Sequence, residues 1–289
     1  MCLSRFRGSN NGRKSGKGPP VHVTRVNRWK SLALLAGVAT IAVTAQAPAT
    51  AEVTATSTPY DDTYYKDAIG KTGEPLKDAL HTIISTDVTK VSYDEVWDAL
   101  KKTDEDPDNP SNVILLYSGT SQSKDANGSG PDQWNREHVW AKSHGDFGTA
   151  TGPGTDVHHL RPANVTVNSI RGNKDFDEGG SEVEGAPGSR TDDDSFEPRD
   201  QVKGDVARMV LYMSVRYEGD DDFPDLEVND TVDNGTQPHL GRLSVLKKWN
   251  DEDPPDAFEK HRNDVIYDTI QHNRNPFVDH PEWVGEIWK

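Results

Sequence analysis

Four of the ten histidines of this 289-residue chain fall within 22 consecutive positions, among acids, amides and arginines. A lone histidine is most often structural, but a cluster of this density favours a functional site. His138 could accept a proton near neutral pH, and Glu137 and Asn168 offer the carboxylate and amide oxygens that Mg²⁺, Mn²⁺ or Ca²⁺ prefer. Arg161 and Arg171 carry planar donors that match phosphate oxygens. The clustered histidines are His138, His144, His158 and His159.

The same stretch also leaves a zinc site open, built from His138, His144, Asp156 and either His158 or His159. Neither an HExxH motif nor a pair of cysteines supports zinc. The chain also lacks the GxSxG, GxxxxGK[ST] and GxGxxG motifs. Serine hydrolase, P-loop and dinucleotide-binding functions are therefore not indicated.

Helices that could frame this stretch are indicated by capping signals. Ser92 followed by Glu95 forms a capping box, and apolar residues at helical spacing come after it. Asp256 and Glu259 form a second box before another apolar pattern. A further helix is predicted over 202–217, with its apolar residues on one face.

Strand signals are fewer than helix signals. The continuous apolar run 113–117 predicts a buried strand. Segments 118–131 and 175–198 are rich in Gly, Ser and Asn or in acids, and both are predicted to be loops. No internal repeat or composition break divides residues 60–289, which we therefore expect to form one domain.

The amino-terminal segment has the features of a secretory signal peptide. Residues 1–51 carry eight Lys or Arg and no acid, and an apolar stretch at 32–43 leads to the small residues 49–51. We predict a signal peptide over 1–51 and a flexible lead-in over 52–59. The chain's one cysteine lies in the leader, and no apolar run approaches the roughly 20 residues of a membrane span. A disulfide scaffold and a membrane protein are therefore excluded.

The chain is polar and acidic. Its mean hydropathy is −0.80, and loss of the eight leader cations would change the formal net charge from −16 to −24. Such a surface repels polyanions on average. A nucleic-acid substrate would have to be held by a local basic patch or through a bound cation.

Five sequence blocks carry a resemblance to a known family. In order and spacing they resemble the bacterial endonuclease I family, secreted or periplasmic non-specific nucleases of the His-Me finger (ββα-metal) superfamily. The blocks extend over most of 60–282. They are 134–140 (WNREHVW), 156–162 (DVHHLRP), 167–173 (VNSIRGN), 204–208 (GDVAR) and 271–282 (QHNRNPFVDHPE).

The resemblance implies a fold and a mechanism. The fold would be α+β, a helix-rich single domain around a ββα-metal core. His138 would be the general base that activates water, and Glu137 and Asn168 would hold one Mg²⁺, with Mn²⁺ or Ca²⁺ as alternatives and Zn²⁺ less favoured. Arg161 and Arg171 are candidate phosphate clamps. The products would carry 5′ phosphates.

Two features depart from the family pattern. Some periplasmic members place a metal-site Glu at the position of Gly154, and they contain disulfides that the predicted mature chain cannot form. The extra ligand and the metal preference are therefore left open.

Together these observations predict a secreted, monomeric endonuclease that cleaves DNA, and RNA as well, with little sequence preference. It would have no membrane association after signal removal. Two alternatives remain open. One is an extracellular metal-dependent phosphoesterase for small substrates, and the other is a non-catalytic secreted nucleic-acid-binding module.

Overall fold

Both capping boxes open helices in the computed structural model, which describes residues 60–289. The Ser92 N–H donates to Glu95 Oε2 at 2.7 Å, and the Glu95 N–H donates to Ser92 Oγ at 3.4 Å. The Asp256 carboxylate accepts from the Glu259 N–H at 2.8 Å. The predicted signal peptide and lead-in, 1–59, lie outside the described residues. The α-helices of the described residues are α1 (Glu74–Ser85), α2 (Glu95–Thr103), α3 (Val165–Arg171), α4 (Lys203–Arg216), α5 (Leu243–Glu252), α6 (Ala257–Thr269), α7 (Pro276–Asp279) and α8 (Trp283–Ile287).

Helix α4 lies at the centre of the fold. The prediction of a helix here is confirmed. The expectation that only one face of it is buried is wrong, because every residue from Gly204 to Arg216 is buried. The helix packs against α1, α5 and α7. A Cβ at Gly204 would lie only 1.9 Å from the Asp253 carbonyl oxygen, so this close approach requires glycine.

The strands are short. The prediction of a strand over 113–117 is half right, since the strand ends at Ile114 and residues 116–118 form a turn. The prediction of a loop over 175–198 is wrong. Four short strands there form a sheet, which carries little of the apolar alternation that predicts strands. The strands are β1 (Glu105–Asp106), β2 (Asn109–Ile114), β3 (Ser121–Ser123), β4 (Trp134–His138), β5 (Leu160–Asn164), β6 (Asp175–Phe176), β7 (Ser181–Val183), β8 (Ala186–Thr191), β9 (Ser195–Glu197), β10 (Glu227–Val228) and β11 (His239–Leu240).

The sheets are separate and small. Their strand orders are β1-β2-β3, β4-β5, β6-β9-β8-β7 and β10-β11. The main hydrophobic core surrounds α4 and reaches α1, β6, β9 and α5. This mixture of helices with small sheets confirms the α+β class. In the part of the chain that the structure describes, no helix has the length and apolar character needed to cross a membrane.

Candidate active site

A β-hairpin-like pair and the helix that follows it form the frame of the site. Strands β4 and β5 pair antiparallel, with Glu137 opposite Arg161. Helix α3 starts directly after β5, because Asn164 caps it by accepting from the N–H groups of Thr166 (2.9 Å) and Val167 (3.2 Å). With no loop between strand and helix, α3 has a fixed direction relative to β4.

Arg171, the last residue of α3, binds the end of β4. Its Nη1 donates to the His138 carbonyl at 2.8 Å and its Nη2 donates to the Val139 carbonyl at 2.7 Å. Nη1 also lies 3.3 Å from Glu137 Oε1. Arg171 therefore holds helix and strand together, and its Nε is buried without a hydrogen-bond partner.

A cleft of about 280 Å³ opens at the junction of β4 and α3. Adjacent residues of a regular strand point to opposite faces, but this cleft lies at the end of β4, where residues of both faces reach it. Glu137, His138 and Asn168 thus border one space. The lining residues are Tyr93, Asn135, Arg136, Glu137, His138, Ala141, Lys142, Ser143, Asn168, Arg171, Gly172 and Asn173.

Glu137 is a buried carboxylate, with 1% of its surface exposed. Tyr117 Oη donates to its Oε1 at 2.6 Å, the same oxygen that Arg171 approaches. Burial raises the pKa of Glu137, and Arg171 and Tyr117 oppose that rise. Its Oε2 is the oxygen that neither neighbour engages.

His138 is a buried imidazole, held in one tautomer. Its Nε2 lies 3.1 Å from the Gly154 carbonyl oxygen, which can only accept, so Nε2 carries the proton. Nδ1 is then the nitrogen able to accept a second one. Burial, followed by the nearby His159, lowers the pKa of His138 to about 3. The ring is therefore neutral at ordinary pH.

Asn168, in the middle of α3, presents an amide to the same cleft. Its Nδ2 donates to Asn135 Oδ1 at 2.8 Å, which leaves the Asn168 amide oxygen available. This oxygen and the Glu137 carboxylate are hard donors. A set of two protein oxygens, with further positions left for water or phosphate, fits Mg²⁺ and related cations.

Comparison with known proteins agrees with the family motifs. The Endonuclease I family profile matches residues 72–282. The chain belongs to the endonuclease I family. It is 62% identical to an extracellular ribonuclease of Bacillus amyloliquefaciens over 251 residues, 87% of this chain and 86% of the relative. It is 65% identical over 227 residues to an extracellular ribonuclease of Bacillus subtilis (strain 168), covering 78% of each.

Arg161 is not among the residues that border the cleft of this endonuclease I chain. Its side chain is 1% exposed. Its Nε forms an ion pair with Asp104, and its Nη1 lies 3.2 Å from Asp205 Oδ2. It borders a separate cavity of about 160 Å³. The expected role as a phosphate clamp therefore has no geometric support, whereas Arg171 does reach the cleft.

The remaining clustered histidines are buried away from the cleft. His159 Nε2 donates to the Pro153 carbonyl at 2.7 Å. His158 Nε2 lies 3.2 Å from the Asn273 carbonyl oxygen. The two ring nitrogens of His144 lie 2.6 and 2.7 Å from backbone carbonyl oxygens. These rings hold the loops around the site.

Asp156 is the centre of a buried hydrogen-bond hub. Its Oδ2 accepts from Tyr212 (2.9 Å) and Tyr217 (3.0 Å), and its Oδ1 accepts from Gln271 Nε2 (3.0 Å). Gln271 Oε1 in turn accepts from the Val157 N–H. Asp156 is thus engaged inside the protein and does not border the cleft.

The zinc alternative is not supported by this arrangement. Among residues 60–289, the one group of three acidic, His or Cys ligand atoms within 4.8 Å of one another is Glu218, Asp225 and Glu227. Lys77 Nζ lies 2.8 Å from Glu218 and 2.9 Å from Glu227. A lysine therefore already compensates that acidic group, which lies outside the cleft.

Gly154 has no room for a side chain. A Cβ there would lie 2.6 Å from the Gly148 carbonyl oxygen and 2.8 Å from Thr149 Cα. Position 154, where the resemblance led us to look for a further acidic ligand, therefore contributes only its backbone, as the carbonyl that binds His138.

The structure adds residues to the site that the sequence did not single out. The Arg136 guanidinium lies 3.4 Å from the Tyr93 ring centroid and 4.1 Å from that of Trp97. Lys142 is exposed at the cleft and forms no ion pair with any residue of 60–289. Arg136 lies two positions before His138, and this alternation was a usable signal for a shared strand face. Lys142 had no such signal.

Proposed function

We propose that this protein is a secreted, divalent-cation-dependent nuclease. It hydrolyses phosphodiester bonds of RNA and DNA with little sequence preference and leaves 5′ phosphates. The observation that carries the proposal is the meeting of Glu137, His138 and Asn168 in one open cleft. Family membership and the two Bacillus relatives named extracellular ribonuclease support it.

The roles follow from which atoms remain available. His138 Nδ1 takes a proton from the attacking water, while the Nε2–H bond to Gly154 keeps the ring in place. Glu137 and Asn168 would hold the cation, which supplies positive charge at the phosphate where negative charge develops. No group in this scheme uses a ribose 2′-hydroxyl. We therefore propose both RNA and DNA as substrates.

The cleft also accounts for how an acidic chain could bind a polyanion. Its lining includes three cations, Arg136, Lys142 and Arg171, against one carboxylate, Glu137. This local excess of positive charge opposes the net charge of −16 for the chain. Binding through such a patch should weaken steeply as salt rises.

Cleavage by the chain from Glu52 onward tests the proposal. Single-stranded RNA, single-stranded DNA and plasmid would be incubated with EDTA or with added Mg²⁺, Mn²⁺, Ca²⁺ or Zn²⁺, and the product ends would be mapped. A His138→Ala preparation, purified in parallel, controls for contaminating nucleases. We expect cation-dependent cutting of both polymers with 5′-phosphate ends.

Other outcomes favour the alternatives. Hydrolysis of a small model diester without cutting of any polymer would indicate a small-substrate phosphoesterase. Binding of nucleic acid without turnover under any cation would indicate a binding module. Cutting of RNA alone, with 2′,3′-cyclic ends, would contradict the proposed mechanism. Amino-terminal sequencing of protein from the culture medium tests secretion and the predicted cleavage before Glu52.

A further inference from the structure

We infer that Tyr117 and Asn135 are positioning residues that fix the two cation ligands, so that the cation site is formed before the cation binds. The inference rests on the proposed function, because it assigns a task to side chains beside Glu137 and Asn168. Tyr117 does not border the cleft, and Asn135, which does, would act through its hydrogen bond to Asn168.

Tyr117 is held rigidly where it meets Glu137. Its side chain is 1% exposed, and its ring centroid lies 4.7 Å from that of Phe196. Its backbone carbonyl accepts from Ser189 Oγ at 3.0 Å. The hydroxyl group therefore has one position, from which it donates to Glu137 Oε1 at 2.6 Å.

The side chains of Tyr117 and Arg171 both approach the same oxygen of Glu137. Tyr117 and Arg171 both engage Oε1, at 2.6 and 3.3 Å. Two donors at Oε1 restrain the rotation of this buried carboxylate, which leaves Oε2 as the oxygen for a cation. In metal sites, hydrogen bonds of this kind orient the ligands and influence affinity.

Asn135 does the same for the second ligand. It lies on β4, opposite Ala163 of β5, and its Oδ1 accepts from Asn168 Nδ2 at 2.8 Å. An amide has one donor end and one acceptor end. Binding the donor end therefore turns the oxygen of Asn168 away from Asn135 and leaves it for the cation.

Cation binding without substrate separates positioning from a purely structural role. Mn²⁺ would be titrated into the chain from Glu52 onward by calorimetry, for the unmodified protein, Tyr117→Phe and Asn135→Ala. Tyr117→Phe removes one hydroxyl and keeps the packed ring. We expect the affinity for Mn²⁺ to fall about 10- to 100-fold in both variants, and the Mg²⁺ concentration for half-maximal cleavage to rise by a similar factor.

The chain offers a matched control for the tyrosine. Tyr65 is also fully buried, and its hydroxyl donates to a carboxylate, Asp279 Oδ2, at 2.7 Å. Neither Tyr65 nor Asp279 borders the cleft. Tyr65→Phe should lower the melting temperature about as much as Tyr117→Phe and leave Mn²⁺ affinity unchanged.

Asn135→Asp provides the rescue, since it keeps the acceptor for Asn168. It should bind Mn²⁺ at least as tightly as the unmodified protein. Unchanged affinity in both Tyr117→Phe and Asn135→Ala, in a protein that binds Mn²⁺ and cuts RNA, would overturn the inference alone. An unmodified protein that neither binds Mn²⁺ nor loses cleavage in EDTA would overturn the proposed function, and the inference with it.

Discussion

Two clusters of charged and polar groups flank the β4-β5 pair, and they differ in what is left unbonded. The first is the cleft, where His138 Nδ1 is available and the Nε atoms of Arg136 and Arg171 have no hydrogen-bond partner among the described residues. The second, the buried ion-pair cluster, consists of side chains that are almost wholly buried. The members of the buried ion-pair cluster are Asp104, Arg161, Asp205, Arg208, Glu259 and Arg262.

In the buried ion-pair cluster the charges satisfy one another. Arg208 Nη2 lies 2.6 Å from Glu259 Oε2, and Arg262 Nη2 donates to the Leu160 carbonyl at 2.7 Å. Glu137 and Arg161 face each other across the strands and still belong to different clusters. Residue type and chain position therefore do not distinguish candidate catalytic residues from structural ones. Polar atoms without a hydrogen-bond partner that lie beside an open cleft do distinguish them.

The largest expected effect comes from removing the base of the cleft. His138→Ala should lower kcat by about 10² to 10⁴-fold, with a smaller fall in melting temperature than His158→Ala, because only His138 borders the cleft. His158→Ala is the matched deletion in a closed environment and should reduce stability more than rate. Equal losses of kcat in the two variants would erase the distinction between the clusters.

Arg161→Met tests the residue that sequence and structure place differently. It leaves Asp104 and Asp205 without one partner, and breaking a buried pair typically costs about 3 to 5 kcal/mol. We expect that loss in urea unfolding, with the folded fraction keeping its kcat within a few-fold. A hundredfold loss of kcat at unchanged stability would instead indicate that Arg161 takes part in catalysis.

Gly154→Ala probes the contact between loop and base. The new Cβ would meet backbone atoms at 2.6 and 2.8 Å, so the loop must move and take the Gly154 carbonyl with it. We expect a loss of about 1 to 3 kcal/mol and up to about 10²-fold in kcat. Gly285→Ala in α8 is the control, because the added Cβ would meet nothing within 4 Å outside its own helix, and it should leave kcat unchanged without lowering stability. Full activity in the Gly154 variant would show that this carbonyl does not hold His138.

The smallest effect is a pH dependence of stability outside both clusters. Burial acts to lower the pKa of His280, but hydrogen bonds to Glu282 (2.8 Å) and Asp61 (2.7 Å) raise it overall. A raised folded-state pKa stabilises fully below the unfolded value of about 6.5, and the effect is lost as pH rises through the folded value. Chemical unfolding between pH 5 and 9 should show this decline. The decline should be absent in His280→Gln, and the same decline in that variant would assign it to another group.

Local signals predicted the parts of the fold that local contacts determine. Helices α2 and α6 follow from capping boxes whose partners are three residues apart. The sheet over 175–198 was missed because its strands pair through the backbone and carry mixed side chains. The turn after Ile114 was missed because its anchor is distant. That anchor is the Pro162 carbonyl, which accepts from the Leu116 N–H at 2.9 Å.

In the candidate site, too, the sequence predicted the residues within local motifs and missed the contacts between distant segments. Glu137, His138 and Asn168 lie within recognisable motifs, and the structure places them on one cleft, where their roles remain proposals. Tyr117 lies 20 residues before Glu137 in the stretch taken for a strand, so no spacing pointed to their hydrogen bond. Arg161 and Arg171 are both arginines within family motifs, and only their partners in space distinguish them.

The Asp156 hub has a consequence for when the molecule becomes functional. Asp156, two positions from the carbonyl that binds His138, receives a hydrogen bond from a side chain 115 residues further along the chain, Gln271. A polypeptide still emerging from a ribosome lacks that side chain until nearly all of it has passed. The hub beside the Gly154 loop is therefore completed only after nearly the whole chain has been synthesised.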